Sequence, residues 1–327
     1  MQTDPLNIRN ILVVRNDRFG EFLLNIPSLR ALREGFPSAR ITVVVDPHVK
    51  ELADKIPLID EIATWERHSH TLFEKFSLVK TIKDKNFNMA VMLNPSKEFN
   101  IFTHLAGIPI RVGYDRKWGF LLTHKIKDEK YLGRKHEVEY NLDLVGLIGA
   151  KTNDLSLSLE IDESAVQGLD KELSSFASSE LIALHPWTSD QVKQWPVHNF
   201  RALAERLMKE LKKTIVIIGG KEEVIKGGEL FQDLGIRLIN LTGKTNLVQL
   251  AGLLKKCSLL ISGDSGPVHL SCAVGTPVIA LFRNDLSGKS PKRWGPWGNG
   301  NIVIEKPSLA AITVDEVLGK TKEILDR

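Results

Sequence analysis

The chain has 327 residues, 43% of them hydrophobic and 26% charged, which is ordinary soluble globular composition and fits two domains better than one or three. A net charge of +4, with no zinc-finger spacing, no aromatic-basic ribonucleoprotein motif and no dense Lys/Arg run, argues against nucleic acid as a partner, while a locally basic surface facing an anionic lipid or substrate stays open. The two cysteines, Cys257 and Cys272, lie in apolar segments without metal-ligand neighbours, and the polar start MQTDPLNIRN has no signal-peptide core; buried thiols, a reducing cytosol and neither export nor membrane spanning are expected.

In chain order, NILVVRN is a β-branched apolar run that predicts a strand, followed by the turn residues Asp17, Arg18, Phe19 and Gly20. EFLLNIPSLRALREGF has helical apolar spacing and stops at Pro37. ARITVVVDP is the next strand. ELADKIPLIDEIATW holds a helix and a further short strand, and NMAVMLNP and IRVGYD are strands. Alternating strand and helix patterns predict parallel α/β units. The polar stretch from Lys151 to Ser164 reads as a connector, after which the pattern restarts. LIALHPW, TIVIIGG, IRLINLTG, SLLISG and PVIALF are strands, with HNFRALAERLMKELKK, KEEVIKGGELFQDLG, NLVQLAGLLKKC and PVHLSCAVG as the helices among them. The expected division is residues 1–160 and 161–312 as two Rossmann-like, doubly wound domains facing a central cleft. The amphipathic segment 313–327 is expected to be a helix packing back on the first domain. Sheets of this kind bind ligands outside the carboxyl ends of their strands.

Three strand-to-helix turns carry candidate chemistry. In SGDSGPVHLSCAVGTPVIALF, Pro267 suits the first helical position, and Asp264 or Ser265 is a natural N-cap. Gly266 lets a ligand approach the backbone, Gly275 ends a short helix, and His269 lies in the first turn. Free N–H groups and the positive helix end make an anion site there, suited to a diphosphate. The plainer reading has Asp264 capping the helix and His269 packing inside the domain. HPWTSDQVKQWP follows a strand and offers Thr188, Ser189 and Lys193 to phosphate oxygens. In GGKEE, a carboxylate at Glu222 or Glu223 is placed to hydrogen-bond a ribose, or simply to favour a helix dipole.

These segments resemble the glycosyltransferase family that includes the ADP-heptose:lipopolysaccharide heptosyltransferases. The resemblance rests on ILVVRNDRFGEFLLNIPSLRALREGFPSARITVVV, HPWTSDQVKQWPVHNFRALAERL, SGDSGPVHLSCAVGTPVIALF and RWGPWG in that order. It implies a GT-B fold, an acceptor-binding first domain, a second domain that holds a nucleotide-sugar, and an inverting transfer with no metal and no cofactor. The lack of an Asp-x-Asp triplet agrees with the last point. By the same resemblance, Thr188, Lys193, Asp264, Ser265, Gly266 and His269 line the donor site, and an acid at Glu223, with Glu222 the near alternative, holds the ribose. The family's general base is an aspartate after the turn glycine. Here the pair is Gly20-Glu21, so a glutamate stands in its place, with a similar reference pKa but a stem longer by one carbon–carbon bond. Arg15, Asp17 and Arg18 flank this turn on the acceptor side, as orienting groups or as solvated charges.

The resulting expectation is an enzyme that moves a sugar, heptose from ADP-heptose, onto a lipid-linked lipopolysaccharide core in the cytoplasm, in peripheral contact with the inner membrane. Transfer from another nucleotide-sugar, a nucleotide-sugar epimerase and a non-catalytic nucleotide-binding module are the competing readings. GYDRKWGF mixes basic and aromatic residues that would suit an acidic sugar, a membrane surface or an ordinary turn. His68 and His70 lack a third ligand and read as a solvated loop.

Overall fold

The apolar runs become parallel strands. The computed structural model describes residues 8–67, 70–173 and 180–326, so His68 lies outside the described residues. The chain forms two units, residues 1–156 and 157–327. Arg30 holds the end of the first, donating to the carbonyls of Asp154 at 2.7 Å and Ser156 at 3.0 Å. The buried Leu157 and Leu159 open the second, and the Leu159 N–H donates to the Ala273 carbonyl at 2.9 Å.

The first unit runs β1 (Asn10–Val14), α1 (Phe19–Leu23), α2 (Ile26–Gly35), β2 (Arg40–Val45), α3 (Lys50–Ala53), β3 (Glu61–Thr64), α4 (Leu72–Asp84) and β4 (Met89–Met92). It continues with α5 (Lys97–Leu105), β5 (Ile110–Tyr114), β6 (His124–Ile126) and α6 (Glu137–Gly146). Its sheet is parallel with the order β3-β2-β1-β4-β5-β6. The central strand β1 is flanked on both sides, Ile11 standing opposite Ile41 and Met89. Burial on both faces explains its unbroken Ile-Leu-Val-Val run.

The second unit runs α7 (Asp170–Leu173), β7 (Leu181–His185), α8 (Val197–Glu210), β8 (Thr214–Ile217), α9 (Val224–Phe231), β9 (Leu238–Asn240) and α10 (Leu247–Lys256). It ends with β10 (Cys257–Gly263), α11 (Gly266–Ala273), β11 (Val278–Arg283), α12 (Pro291–Trp294), β12 (Ile302–Lys306) and α13 (Val314–Leu325). Read from one edge, its sheet is β9-β8-β7-β10-β11-β12, the same order as the first. Strand order therefore reverses between β1 and β4 in one unit and between β7 and β10 in the other. Those two reversal points are where doubly wound sheets open a crevice for ligands.

Three expectations change. The single helix expected over EFLLNIPSLRALREGF is split into α1 and α2. Pro27 has no N–H to donate to the preceding turn, and Asn25 Nδ2 instead donates to the Glu21 carbonyl at 2.6 Å, closing α1. The last helix, expected on the first domain, packs on α8 within the second unit. Val317, Leu318 and Ile324 join the core formed by Phe200, Leu203 and Leu207, and Arg206 and Glu210 of α8 pair with Asp315 and Lys322. His70 is not a solvated loop residue either: its ring stacks on Trp65 with centroids 3.6 Å apart.

Candidate functional site

In the first unit, the residues after β1 form a buried charge network. Arg15 is 1% exposed, and its Nε donates to Asp17 Oδ1 at 2.8 Å, its Nη2 to Glu21 Oε2 at 3.0 Å and its Nη1 to the Leu93 carbonyl just past β4 at 3.0 Å. Arg15 thus spans the reversal point between β1 and β4. A third carboxylate, Glu137 at the start of α6, lies 3.7 Å from Nη1 and also pairs with Lys130 at 2.5 Å. Lys130 in turn donates to Asn141 Oδ1 at 2.9 Å and sits 4.2 Å from the centre of the Tyr114 ring.

Burial works against the Arg15 charge, but Asp17, Glu21 and Glu137 outweigh it and hold the guanidinium protonated. Burial pushes the Asp17 carboxyl up to about 7; Arg15 opposes that shift and the Glu21 carboxylate adds to it. For Glu21, burial raises the pKa, but Arg15 and the hydrogen bond from Asp17 prevail and hold it below the ordinary carboxylate range. At neutral pH the network therefore holds an ionised Glu21 beside an Asp17 whose carboxyl is raised towards neutral pH. The Glu21 side chain is 31% exposed against 7% for Asp17, so Glu21 is the member that a ligand can reach. Gly20 is buried under the turn and Arg18 is exposed.

In the second unit, the turns after β7 and β10 meet. Lys193 ends a short 3-10 turn, and its Nζ pairs with Asp264, 71 residues further on. Both are partly exposed, at 21% and 11% of the side chain. Gly263 permits this approach, because a Cβ there would stand 3.1 Å from the Lys193 carbonyl and 3.3 Å from the Thr188 methyl. The Thr188 hydroxyl donates to the Asp190 carbonyl at 2.9 Å, which ties the loop, and Ser189 stands exposed on it.

Ser265 is the N-cap residue of α11, yet its hydroxyl makes no cap hydrogen bond. It lies 3.1 Å from His185 Nδ1 and 2.8 Å from the Ser262 hydroxyl instead. The capping expected of Ser265 is thus replaced by a contact that crosses from β10 to β7. Burial pushes the His185 imidazole down to about 4, so it is neutral here. Gly266 is partly exposed beside Asp264 and Ser265, whereas His269 is buried at 4% exposure. At the end of β8, Glu223 folds back over Gly220, where a Cβ would meet its Oε2 at 2.8 Å, while Glu222 points to solvent. The structure thus sets Glu223 apart from Glu222, its near alternative in the sequence.

Several members escaped the sequence reading. Lys130, Glu137, Asn141 and Tyr114 lie about a hundred residues from Arg15, and Glu137 looks like an ordinary first-turn acid. Near the Lys193 turn, Lys289 pairs with Asp190 at 3.0 Å and Arg283 donates to the Val192 carbonyl at 3.5 Å. RNDLSGKS carries no motif of its own, and only the neighbouring RWGPWG, part of the resemblance, points to this region. Among the described residues, no group of three or more His, Cys, Asp or Glu side chains is arranged to hold a metal ion.

Residues 75–317 match the profile of glycosyltransferase family 9 (heptosyltransferase). A protein of Haemophilus influenzae, provisionally described as a glycosyltransferase, is 28% identical over 303 residues, covering 88% of this chain and 86% of its own. The fold matches that of a glycosyl transferase family 9 protein from Veillonella parvula, with a TM-score of 0.86, 22% identity and 98% of each chain covered. It also matches the ADP-heptose lps heptosyltransferase II of Escherichia coli, with a TM-score of 0.83, 23% identity and 97% and 98% coverage. The two six-stranded parallel sheets are those of a GT-B fold. The profile covers well over half of the sequence, so this chain belongs to glycosyltransferase family 9, the heptosyltransferase family, and is a glycosyltransferase.

Proposed function

We propose that the enzyme transfers heptose from ADP-heptose to a hydroxyl of a lipopolysaccharide core acceptor, with inversion and without a metal ion. The observation that carries this reading is the meeting of Lys193, Asp264 and the N-terminus of α11 at the β7–β10 reversal point. A diphosphate needs positive partners there, and Lys193 and the helix N–H groups supply them. Glu223, folded over Gly220, is assigned to the ribose hydroxyls in this reading. Asp264, a carboxylate beside the phosphate-binding lysine, suits sugar hydroxyls, which donate to it, better than phosphates, which it repels.

On the acceptor side, Glu21 is ionised and reachable. It takes the proton of the acceptor hydroxyl as that oxygen attacks the anomeric carbon. The bond to the diphosphate breaks on the opposite face of the sugar, which inverts the configuration, and ADP leaves with the bonding electron pair. Arg15 orients Glu21 and keeps it charged. The work is proposed to take place in the cytoplasm, at the inner face of the membrane that presents the lipid-linked acceptor.

Calorimetric titration of the metal-free protein with ADP, UDP, GDP and CMP tests the donor half. ADP is expected to bind selectively, and Lys193→Ala to weaken it about 10- to 100-fold, the range for one charge-assisted contact. Asp264→Asn is expected to weaken ADP-heptose more than ADP. Preference for UDP would refute the heptose donor, and undiminished ADP binding by Lys193→Ala would refute the site.

A further inference from the structure

The first unit exposes large apolar side chains that its own core leaves unused. On α4, Leu72, Phe73 and Phe76 are 75%, 82% and 69% exposed, at spacings that put them on one face of the helix. This end of α4 is held in helical form, because Thr71 and Glu74 make a reciprocal capping box. Trp118 and Phe120 are 45% and 70% exposed, with ring centroids 5.7 Å apart. Both sets flank the N-terminal end of α5: Lys75 of α4 reaches Glu98 at 3.1 Å, and Lys97 lies 4.4 Å over the Trp118 ring.

Positive charge surrounds these groups. From Leu72 to Lys85 the sequence has four Lys against two Asp/Glu, and from Asp115 to Lys135, leaving out the buried Lys130, it has six Lys/Arg against three Asp/Glu. Two copies of this face would bring like charges together, which disfavours self-association. An anionic lipid surface satisfies both features, since headgroups pair with lysines while aromatic and leucine side chains enter the acyl boundary.

We propose that the α4 face and the Trp118–Phe120 turn seat the enzyme on a bilayer containing anionic phospholipid. This rests in part on the proposed transfer to a lipid-linked acceptor and names the surface that brings the enzyme to it. No helix among the described residues is long and apolar enough to cross a membrane, so the contact is one of a surface lying on the bilayer.

The test is co-sedimentation of the full chain with vesicles of phosphatidylcholine alone and of phosphatidylcholine with phosphatidylglycerol, at ~0.1 M and ~0.5 M salt. Binding is expected to be at least about tenfold tighter on the anionic vesicles and to weaken in high salt. The variants L72S/F73S/F76S and W118S/F120S are each expected to lower it by about tenfold or more. Circular dichroism and ADP titration check that both variants remain folded. Equal binding to neutral vesicles, no binding by wild type, or undiminished binding by both variants would each overturn the proposal. So would a wild-type dimer on gel filtration that the triple variant dissociates. Transfer to a soluble, delipidated core acceptor should be unchanged in the triple variant. Its absence in wild type, with vesicle binding intact, would sink the transfer reading and leave the docking face standing.

Discussion

Replacing Asp17 by asparagine reads the protonation of the Arg15 network directly. Arg15 and Lys130 bring two positive charges to three carboxyls, Asp17, Glu21 and Glu137, so one carboxyl is driven to keep a proton. Burial assigns it to Asp17, whose pKa rises from 3.8 to about 7. Between those values the folded chain holds a proton that the unfolded chain has released. The stabilisation is therefore present at low pH and is lost as pH rises through about 7. With these two values, the wild type has about 3 kcal/mol of it at pH ~4.5 and almost none at pH ~8. Asparagine binds no proton, so Asp17→Asn should gain about 3 kcal/mol relative to wild type across that interval, whatever the constant offset between the two proteins. Urea unfolding followed by hydrogen exchange of the β1–α1 peptides reads the first unit alone. Because asparagine also donates to Glu21, kcat/KM at pH ~7 should stay within about tenfold of wild type. A stability difference that stays flat from pH ~4.5 to ~8 would show that Asp17 is ionised throughout, and the charge assignment of the network would fall.

Glu21→Gln keeps the volume and removes the base; kcat for ADP release with acceptor should fall about 10²- to 10⁴-fold, with ADP affinity unchanged by calorimetry. Gly263→Ala sets a Cβ 3.1 Å from the Lys193 carbonyl, which must shift by a few tenths of an ångström. Donor KM should then rise about tenfold while the melting temperature drops only slightly, and an unchanged KM would detach Lys193 from the donor. Burial pushes both the Cys257 and Cys272 thiols up to about 12, so neither should react with a disulfide reagent at pH ~8 until the protein is unfolded.

What the sequence revealed follows from the range of the interactions involved. Central strands such as Ile11–Val14 and Leu259–Ile261 are buried on both faces, so their apolar runs stand out locally. The turns behind them were visible for the same reason, since Pro267 and Gly266 mark a helix start within a few residues of the strand. The edge strands β6 and β12 were missed: His-Lys-Ile is three residues long, and only one residue of Ile302–Lys306 is fully buried. Partners across the sheet were not legible. The sequence shows Lys193 and Asp264 as candidates on separate turns, but only the parallel pairing of β7 with β10 puts them together. Asp17 read as a flanking charge because nothing near it in the chain announces that Glu137, itself paired with Lys130, reaches the same guanidinium.

The same charge count bears on how the proposed reaction disposes of its proton. In the form in which Asp17 holds its proton and Glu21 is ionised, the five groups sum to zero. Taking the acceptor proton raises the sum to +1 in a buried setting, which Arg15 opposes through both of its bonded carboxyls. Glu21 held below the ordinary carboxylate range is a weak base for a free alcohol. Its proton transfer must come late, after the forming bond to the anomeric carbon has made the hydroxyl acidic. The driving force then lies with departure of the diphosphate, stabilised by Lys193 and the α11 N-terminus, rather than with the base. Weakness in the base has a return on the next step. The lowered pKa of Glu21 disfavours its acid form, and its side chain is the more exposed of the two carboxyls, so in this scheme Glu21 rather than Asp17 returns a proton to water. In the proposed reaction a glutamate in this turn would work by regaining its charge quickly beside Arg15. Replacing Arg15 by lysine, which reaches fewer partners, should cost kcat more than acceptor affinity.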